Sequence, residues 1–197
     1  MKVLVTGARG QLAGAICDAF QDCAQVIACS RAELDVADAT AVAARMRAER
    51  PDVVINCAAY NNGDRAEDDP ESAMAVNAFA VRVLARAAAD VGATLVHYST
   101  DFVFDGMATR PYAEHDRPNP QSVYAQSKLV GEWMAAIAPR HYVLRVESLF
   151  GGPAAKSSVD VIIAAARDGR KARVFSDRWG LPSFVDAVAA GTACLLG

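Results

Sequence analysis

Short apolar runs alternate with segments of helical periodicity along most of the chain. Lys2–Thr6 predicts a buried strand, and further strands are predicted at residues 26–28, 52–56, 94–99, 142–146 and 174–175. Helical patterns lie between them at residues 11–20, 38–49, 70–91 and 122–138. Because the connections carry no hairpin signals, the alternation predicts right-handed βαβ units on a parallel sheet with helices on both faces. The pattern therefore predicts a doubly wound α/β fold.

Residues that begin and end helices support these boundaries. Asp38 and Ser122 are suited to N-cap two of the helices, and Pro51 ends the first of them. Pro70 suits the first turn of the long helix, and Gly92 follows its last residue. One face of this long helix is predicted to carry five apolar side chains, those of Val76, Phe79, Val83, Ala87 and Val91.

The composition is that of an ordinary globular protein, with 53% hydrophobic and 22% charged residues among 197. The net charge of -3 provides no basic excess, so we expect no nucleic-acid partner. No apolar run approaches the ~20 residues that span a bilayer, so we expect no membrane association. The five cysteines include no CxxC pair, which predicts reduced thiols in the cytoplasm. Three scattered histidines predict no metal site.

A glycine-containing turn joins the first predicted strand to the first helix. Gly7 allows the tight turn, Gly10 lets the backbone approach a pyrophosphate, and the small Ala13 lets the helix pack closely on the strand. The helix N-terminus, with Gln11 and Leu12, then presents N–H groups and a positive dipole to the phosphates. This position predicts a Rossmann-like dinucleotide site, and a plain tight turn is the alternative.

Basic residues near the end of the second predicted strand indicate the cofactor. NAD sites usually place a carboxylate there, whereas this chain has Ser30 and Arg31, with Arg9 in the glycine turn. The two guanidinium groups would bind a 2′-phosphate, and no carboxylate is predicted to repel it. We therefore expect NADP(H), with NAD(H) as the alternative.

Tyr124 and Lys128 form a Y-x-x-x-K pair on a predicted helix, and a spacing of four places both side chains on one face. Thr100 follows the fourth predicted strand, at the edge where open parallel sheets bind ligands. We therefore predict that Thr100, Tyr124 and Lys128 form a catalytic set. A helix with an interfacial tyrosine and a solvated lysine is the alternative.

This set suits hydride transfer. Free tyrosine has a pKa of about 10, and a nearby ammonium together with oxidised nicotinamide is expected to lower it by ~1–3 units. In the reductive direction Tyr124 would protonate the oxygen of the ketone, and Lys128 would also hold the nicotinamide ribose. Thr100 would donate a hydrogen bond to the same substrate oxygen. The reaction requires neither a metal nor a covalent intermediate.

Longer motifs extend this picture over the whole chain. They are TGARGQLAG at residues 6–14, VVINCAAY at 53–60, VHYSTDFVFDG at 96–106, PNPQSVYAQSKLVGE at 118–132 and DRWGLPS at 177–183. On these motifs the chain resembles the dTDP-4-dehydrorhamnose reductase family of extended short-chain dehydrogenases/reductases. The resemblance implies reduction of the 4-keto group of a dTDP-deoxysugar with NADPH, so a sugar nucleotide is the expected substrate.

The same resemblance implies roles for further residues. Asp35 and Val36 would contact the adenine of the cofactor. Three residues after the third predicted strand would line the cofactor groove: Cys57, Ala58 and Ala59. Four would face the substrate: Thr100, Asp101, Phe102 and Ser148.

Three departures fall at positions that face the substrate in the family. Residues 61–64 read NNGD where the family usually has TAVD, and residues 145–148 read RVES in place of RTSW. Phe102 stands where a tyrosine is common. Hydride chemistry is therefore better supported than the rhamnose substrate.

The resemblance also implies how the chain is organised. Residues 1–150 are expected to form the NAD(P)-binding domain, and residues 151–197 the beginning of a substrate-binding lobe with one returning strand and helix. Because family members continue further, a fragment or a naturally short relative is expected. Extended reductases often pair through two long helices, so a homodimer through residues 70–91 and 122–138 is expected.

Two other function classes stay open. A related branch resembles the regulatory β subunit of methionine adenosyltransferase, which keeps the dinucleotide fold but serves as a non-catalytic NADP-binding partner. The intact Thr100, Tyr124 and Lys128 set argues against that class. An epimerase or 4,6-dehydratase is disfavoured, because dehydratases typically place a glutamate directly after Thr-Asp, where this chain has Phe102.

Overall fold

Five parallel strands form the centre of the fold in a computed structural model that describes residues 1–152, 157–174 and 180–197. The strands are β1 (Lys2–Thr6), β2 (Gln25–Cys29), β3 (Val53–Asn56), β4 (Thr94–Thr100) and β5 (His141–Val146). They lie in the order β2-β1-β3-β4-β5, and every neighbouring pair is parallel. The predicted doubly wound sheet is therefore confirmed. The winding reverses between β1 and β3, where such sheets open a crevice at their carboxyl edge.

Eight α-helices are described. They are α1 (Gln11–Phe20), α2 (Ala39–Glu49), α3 (Gly63–Asp68), α4 (Pro70–Met74), α5 (Ala80–Val91), α6 (Val123–Ala135), α7 (Ser158–Arg167) and α8 (Val185–Leu196). A π-helical turn, Ala75–Phe79, joins α4 to α5, and a 3₁₀ turn, Asp101–Val103, follows β4. Asp38 caps α2 by accepting from two backbone N–H groups, and Ser122 caps α6 by accepting from one, as predicted. The sequence did not predict α3, and α7 and α8 replace the single helix expected at the C-terminal side.

Alternate residues of each strand build two core layers. Leu4, Val54 and Leu95 point to the layer that α2, α5 and α6 cover. Val3 and Ile55, on the opposite face, pack with α1 and α8. Both faces of the central strands are therefore buried, which explains why these strands read as continuous apolar runs.

The π-helical turn changes which face of the long helix is buried. Leu84 and Ala88 are fully buried, and Ala87 of the predicted face is 5% exposed. Val83 and Val91, also of that face, are partly buried and pack against the same core. Phe79, also on the predicted face, is 52% exposed. A π-helical turn accommodates one extra residue and shifts the helical register after it. The predicted face is therefore confirmed only in part, because Ala87 is buried in the core whereas Phe79 is exposed.

The same helical run also meets the length and composition of a membrane span. Pro70–Val91 covers 22 residues, with a mean hydropathy of 1.2 in an 18-residue window of which 50% is buried. Charged residues interrupt this run and half of the window is buried in the core, as in the core helix of a globular domain, so the expected absence of membrane association stays a prediction.

The C-terminal side differs from the expected returning strand and helix. In the described residues it contains α7, α8 and an isolated parallel bridge between Phe150 and Phe184. Val174 lies in no strand, and the other half of the predicted sixth strand, together with residues 177–179 of the DRWGLPS motif, lies outside the described residues. The division into residues 1–150 and 151–197 stays a prediction, and α8 packs within the core of the first part.

Candidate cofactor and catalytic site

The glycine turn lies at the carboxyl edge of the sheet, against the turn that follows β3. Gly7 has φ +68°, and a Cβ there would lie 2.7 Å from the backbone nitrogen of Ala58. Gly10 is the N-cap of α1, with no side chain to bond the first N–H groups of that helix. Any side chain at Gly7 would push the two turns apart, so the sequence fits a cradle in which backbone approaches a bound phosphate.

Two adjoining cavities form a continuous groove over this cradle. One of 470 Å³ extends to the end of β4 and to α6, and the other of 280 Å³ extends to the end of β2. Five residues line both cavities: Gly10, Cys57, Ala58, Ala59 and Asn61. The first is also lined by Gln11, Leu12, Thr100, Tyr124, Lys128 and Ser148, and the second by Gly7, Arg31, Asp35 and Val36. The groove thus joins the predicted adenine end to the predicted catalytic set, which suits an extended dinucleotide.

Asn56 fixes the wall of the groove, a role that sequence reasoning missed. Its Oδ1 accepts from the Thr6 hydroxyl at 2.7 Å and from the Ala58 N–H at 3.2 Å. Its Nδ2 lies 3.1 Å from Nδ1 of His97, which is fully buried in β4. Burial, together with the charge of Lys128, lowers the pKa of His97 well below its usual value. The sequence signal for this role was a polar residue, Asn56, at the end of an apolar strand, because a buried amide side chain needs hydrogen-bond partners in the interior.

Lys128 is almost completely buried on the inner face of α6. It is 3% exposed, and its Nζ donates to the backbone carbonyl of Tyr98 at 2.6 Å. Burial lowers its pKa to about 8, although the negative charge of Glu132 acts in the opposite direction. The alternative of a solvated lysine is therefore wrong.

Tyr124 lies one helical turn before Lys128. Burial raises its pKa, while the interaction with the Thr100 side chain acts in the opposite direction. The direction differs from the predicted effect of Lys128, because desolvation of the phenolate dominates and the charge of Asp101 acts in the same direction. The ring of Phe102, which is 50% exposed, packs edge-on against Tyr124 with centroids 6.3 Å apart.

The Thr100 hydroxyl is engaged by a neighbouring carboxylate. It donates to Oδ1 of Asp101 at 3.0 Å and accepts from the Phe102 N–H at 3.2 Å. Burial, with the charge of Glu147, raises the pKa of Asp101 to about 6. To donate to a substrate oxygen, as predicted, the Thr100 hydroxyl must rotate away from Asp101.

A hydrogen-bonded chain joins the catalytic helix to the groove wall. The Ser127 hydroxyl donates to the Tyr124 carbonyl at 2.7 Å and accepts from Nδ2 of Asn77 at 3.0 Å. Oδ1 of Asn77 accepts from the Tyr60 N–H at 2.8 Å, and Nδ2 also donates to the Tyr60 carbonyl at 3.0 Å. Asn77 belongs to the π-helical turn, and sequence reasoning did not assign it a role at the site.

The segment after β5 closes the other side of the cleft. Ser148, predicted to face the substrate, has a φ of +42°, a backbone conformation that is strained for a serine. The Gln11 side chain donates to the Gly151 carbonyl. The predicted substrate residue Ser148 and the predicted cofactor residue Gln11 therefore line one cavity.

The adenine end contains two carboxylates that change the predicted electrostatics. Ser30 is 7% exposed, and its N–H and hydroxyl both donate to Oε2 of Glu33, at 2.8 and 2.7 Å. Arg31 is exposed and lies 3.3 Å from Asp35, and Arg9 is exposed in the glycine turn. The expectation that no carboxylate lies at this end is therefore wrong, because the tight turn after Ser30 brings Glu33 back onto it.

Among the described residues, no group of three or more His, Cys, Asp or Glu side chains is arranged to hold a metal ion. The groove itself fits a dinucleotide through its glycine cradle and its length.

Comparison with known proteins places this architecture in a family. Residues 1–197 match the family described as the RmlD substrate binding domain, and the chain belongs to that family. A dTDP-4-dehydrorhamnose reductase of Sinorhizobium fredii is 37% identical over 193 residues, which are 96% of this chain and 64% of that protein. The chain therefore spans slightly less than two thirds of the length of curated relatives such as this one.

Solved structures agree with this assignment. A dTDP-4-dehydrorhamnose reductase of Clostridium acetobutylicum superposes with a TM-score of 0.94 at 35% identity, covering 100% of this chain and 70% of that one. The Bacillus anthracis reductase, solved in complex with NADP, has a TM-score of 0.93 at 29% identity, covering 99% of this chain and 70% of that one. The suspected family resemblance and the Rossmann-like fold are confirmed.

Proposed function

We propose that this chain carries the cofactor-binding and catalytic part of an NADPH-dependent reductase acting on the 4-keto group of a dTDP-deoxysugar. The observation that carries the proposal is the single cleft of 470 Å³ that the glycine turn shares with Thr100, Tyr124 and Lys128. The reductases named above make this reaction the first choice among hydride transfers. NADP(H) is the proposed cofactor because Arg31 lines the cavity at the adenine end, and the Bacillus anthracis relative was solved with NADP.

When bound, NADPH would supply the hydride. The raised pKa of Tyr124 keeps its phenol protonated at neutral pH, the form in which it can protonate the ketone oxygen. With a pKa of about 8, Lys128 is mostly charged at pH 7, and its buried ammonium favours negative charge developing nearby. Its bond to the Tyr98 carbonyl holds the amine at the floor of the cleft, in position for ribose hydroxyls. Thr100 would donate to the ketone oxygen once its hydroxyl rotates away from Asp101.

The test measures NADPH consumption with an enzymatically generated dTDP-4-keto-6-deoxysugar, comparing the unsubstituted chain with Tyr124→Phe. Loss of the proton donor should lower kcat by about 10²–10⁴-fold. Tyr142→Phe is the matched control, because it removes a hydroxyl from a tyrosine 38% exposed on β5 and away from the cleft. Turnover by Tyr124→Phe at the rate of the unsubstituted chain would contradict the assigned acid.

The same measurement addresses the alternative of a non-catalytic NADP-binding subunit. Such a subunit would bind NADPH without consuming it, and neither tyrosine substitution would then matter. The expected cytoplasmic location and the absence of a nucleic-acid partner stay predictions.

A further inference from the structure

Glu67 joins two segments of the site that are far apart in the sequence. Its Oε1 accepts from the backbone N–H of Val123, the first residue of α6, at 2.8 Å. Tyr124 is the next residue of that helix, and it lines the cleft of 470 Å³. Glu67 itself lies on α3, 56 residues earlier in the chain. One side chain therefore bonds the backbone directly before the proposed acid.

This bond completes the N-terminal cap of α6. The N-terminus of any helix leaves backbone N–H groups without partners inside the helix. The Ser122 side chain accepts from the Ala125 N–H, so another acceptor is needed for the N–H of Val123. Glu67 supplies that acceptor, and its negative charge lies at the positive end of the helix dipole. The first turn of α6 is thus tied to α3 as well as to its own N-cap.

The helix α3 connects this bond to the wall of the dinucleotide groove. It begins after Asn62, whose side chain accepts from the Arg65 N–H at 3.0 Å. Asn61, directly before that cap, lines both cavities of the groove. Ala66 on α3 is completely buried, so the helix is held against the body of the fold. Glu67 therefore links the groove wall to the first turn of α6.

The later turns of α6 are held by other contacts. Nζ of Lys128 donates to a backbone carbonyl of β4 at 2.6 Å. Glu132 forms an ion pair with Arg145 at 2.7 Å. Both contacts lie one or more turns beyond Tyr124. Loss of the Glu67 bond should therefore release the first turn, with Tyr124, while Lys128 keeps its place.

We propose that Glu67 is a positioning residue for the proposed reduction, which holds the first turn of α6 and Tyr124 at a fixed place relative to the groove. The proposal rests on the proposed function, because it requires Tyr124 to protonate the substrate. Glu67 lines neither cavity of the groove, so it acts through the Val123 N–H and not by touching cofactor or substrate. Proton transfer depends on the place of the Tyr124 hydroxyl, so a displaced first turn lowers kcat and leaves the binding of NADPH nearly unchanged.

The experiment compares Glu67→Ala and Glu67→Gln in the NADPH assay with the dTDP-4-keto-6-deoxysugar, and it measures the dissociation constant of NADPH by nucleotide fluorescence. Glu67→Ala removes the acceptor, so it should lower kcat by about 10–10²-fold while the dissociation constant changes by less than about twofold. Glu67→Gln keeps an acceptor oxygen at the same reach, so its kcat should stay within about threefold of the unsubstituted chain. Glu71→Ala is the matched control and should leave kcat unchanged, because it removes an exposed glutamate of α4 outside both cavities.

A change at the donor tests the same bond from the other side. Val123→Pro removes the N–H and keeps the helix, because proline suits the first helical position and Ser122 before it is already extended, with φ -127° and ψ 159°. This variant should lower kcat as Glu67→Ala does. Once the donor is gone, adding Glu67→Ala should cause no further loss of kcat. A loss in the double variant equal to the product of the two single losses would contradict action through this bond.

The proposed function and the role of Glu67 fail in different ways. Turnover by Glu67→Ala at the rate of the unsubstituted chain, or an equal loss in Glu67→Ala and Glu67→Gln, overturns the role of Glu67 and leaves the proposed function intact. A loss of kcat that is matched by an equal loss of NADPH affinity also overturns it, since it shows general damage to the fold. Absence of turnover by the unsubstituted chain overturns the proposed function and this inference together.

Discussion

At the scale of single residues, Lys128 combines a charged amine with nearly complete burial at the end of the cleft. A primary amine with 3% exposure is stabilised by the Tyr98 carbonyl, yet burial still lowers its pKa from 10.5 to about 8. The folded state therefore disfavours the charged amine relative to the unfolded chain. This unfavourable burial occurs at a position where a positive charge would assist the proposed reaction.

This unfavourable burial predicts a specific dependence of stability on pH. Between pH 8 and 10.5 the folded Lys128 has largely lost its proton while the unfolded lysine keeps one, so the unfolded state binds more protons. The contribution of Lys128 to the free energy of unfolding should therefore rise by about 2 kcal/mol from pH 8 to pH 10. Urea unfolding of the unsubstituted chain and of Lys128→Met at both pH values measures this difference in the free energy of unfolding.

The control for this prediction is Lys171→Met, which removes an exposed lysine. Its stability difference from the unsubstituted chain should stay the same at pH 8 and pH 10. An equally constant difference for Lys128→Met would contradict the lowered pKa.

At the scale of elements, the position of α6 depends on close packing against the π-helical turn. A Cβ at Gly131 would lie 2.2 Å from the Asn77 carbonyl oxygen and 3.2 Å from Nε2 of His97. The backbones therefore approach as closely as a glycine allows. Together with the Asn77–Ser127 hydrogen bond, this approach holds Tyr124 and Lys128 over the end of the sheet.

Gly131→Ala tests this packing. The added methyl must push α6 away from the π-helical turn, so it should cost about 1–3 kcal/mol of stability and lower kcat, because the catalytic pair moves with the helix. Gly191→Ala is the matched control on α8, where a Cβ meets no atom within 4 Å, and it should stabilise the chain by up to about 1 kcal/mol. Thermal unfolding and the NADPH assay provide the two readouts, and equal stability of the two variants would contradict the packing argument.

At the scale of the whole molecule, large apolar side chains remain on the surface of the long helices. Phe79 in the π-helical turn is 52% exposed, and Trp133 on α6 is 61% exposed. Ile137, which follows α6, is 42% exposed. These are the segments through which the sequence predicts a homodimer, and the dimer stays a prediction.

A substitution in this surface tests the homodimer. Trp133→Lys places a charge where the second copy would pack, so light scattering should show a dimer for the unsubstituted chain and a monomer for the variant. Leu181→Lys is the matched control, because Leu181 is 79% exposed and lies outside those helices. If the unsubstituted chain is monomeric at high concentration, the predicted homodimer is refuted.

The sequence predicted the features that follow from local patterns. Buried strands, the glycine turn and the Tyr124–Lys128 spacing each depend on a few neighbouring residues, and the structure brings them to one groove. Charges and hydrogen bonds between distant segments were not predictable in this way. The raised pKa of Tyr124 depends on burial by the whole fold, and the hydrogen bond between Asn77 and Ser127 joins segments that are 50 residues apart. Phe79, which the periodicity assigned to the apolar face, lies exposed in a π-helical turn that periodicity alone does not reveal.

The strand order has a consequence for the time course of folding. Lys2 pairs with Gln25, Val3 with Val53, and Val53 with Thr94, so every one of these pairings must wait for a long segment to close. Proteins built from such distant contacts fold toward the slow end of the range for their size. The turns after β1 and β3 meet only when these strands have docked, so a dinucleotide encounters a finished groove late in folding. Binding of a dinucleotide should therefore lower the rate of unfolding and leave the rate of folding almost unchanged.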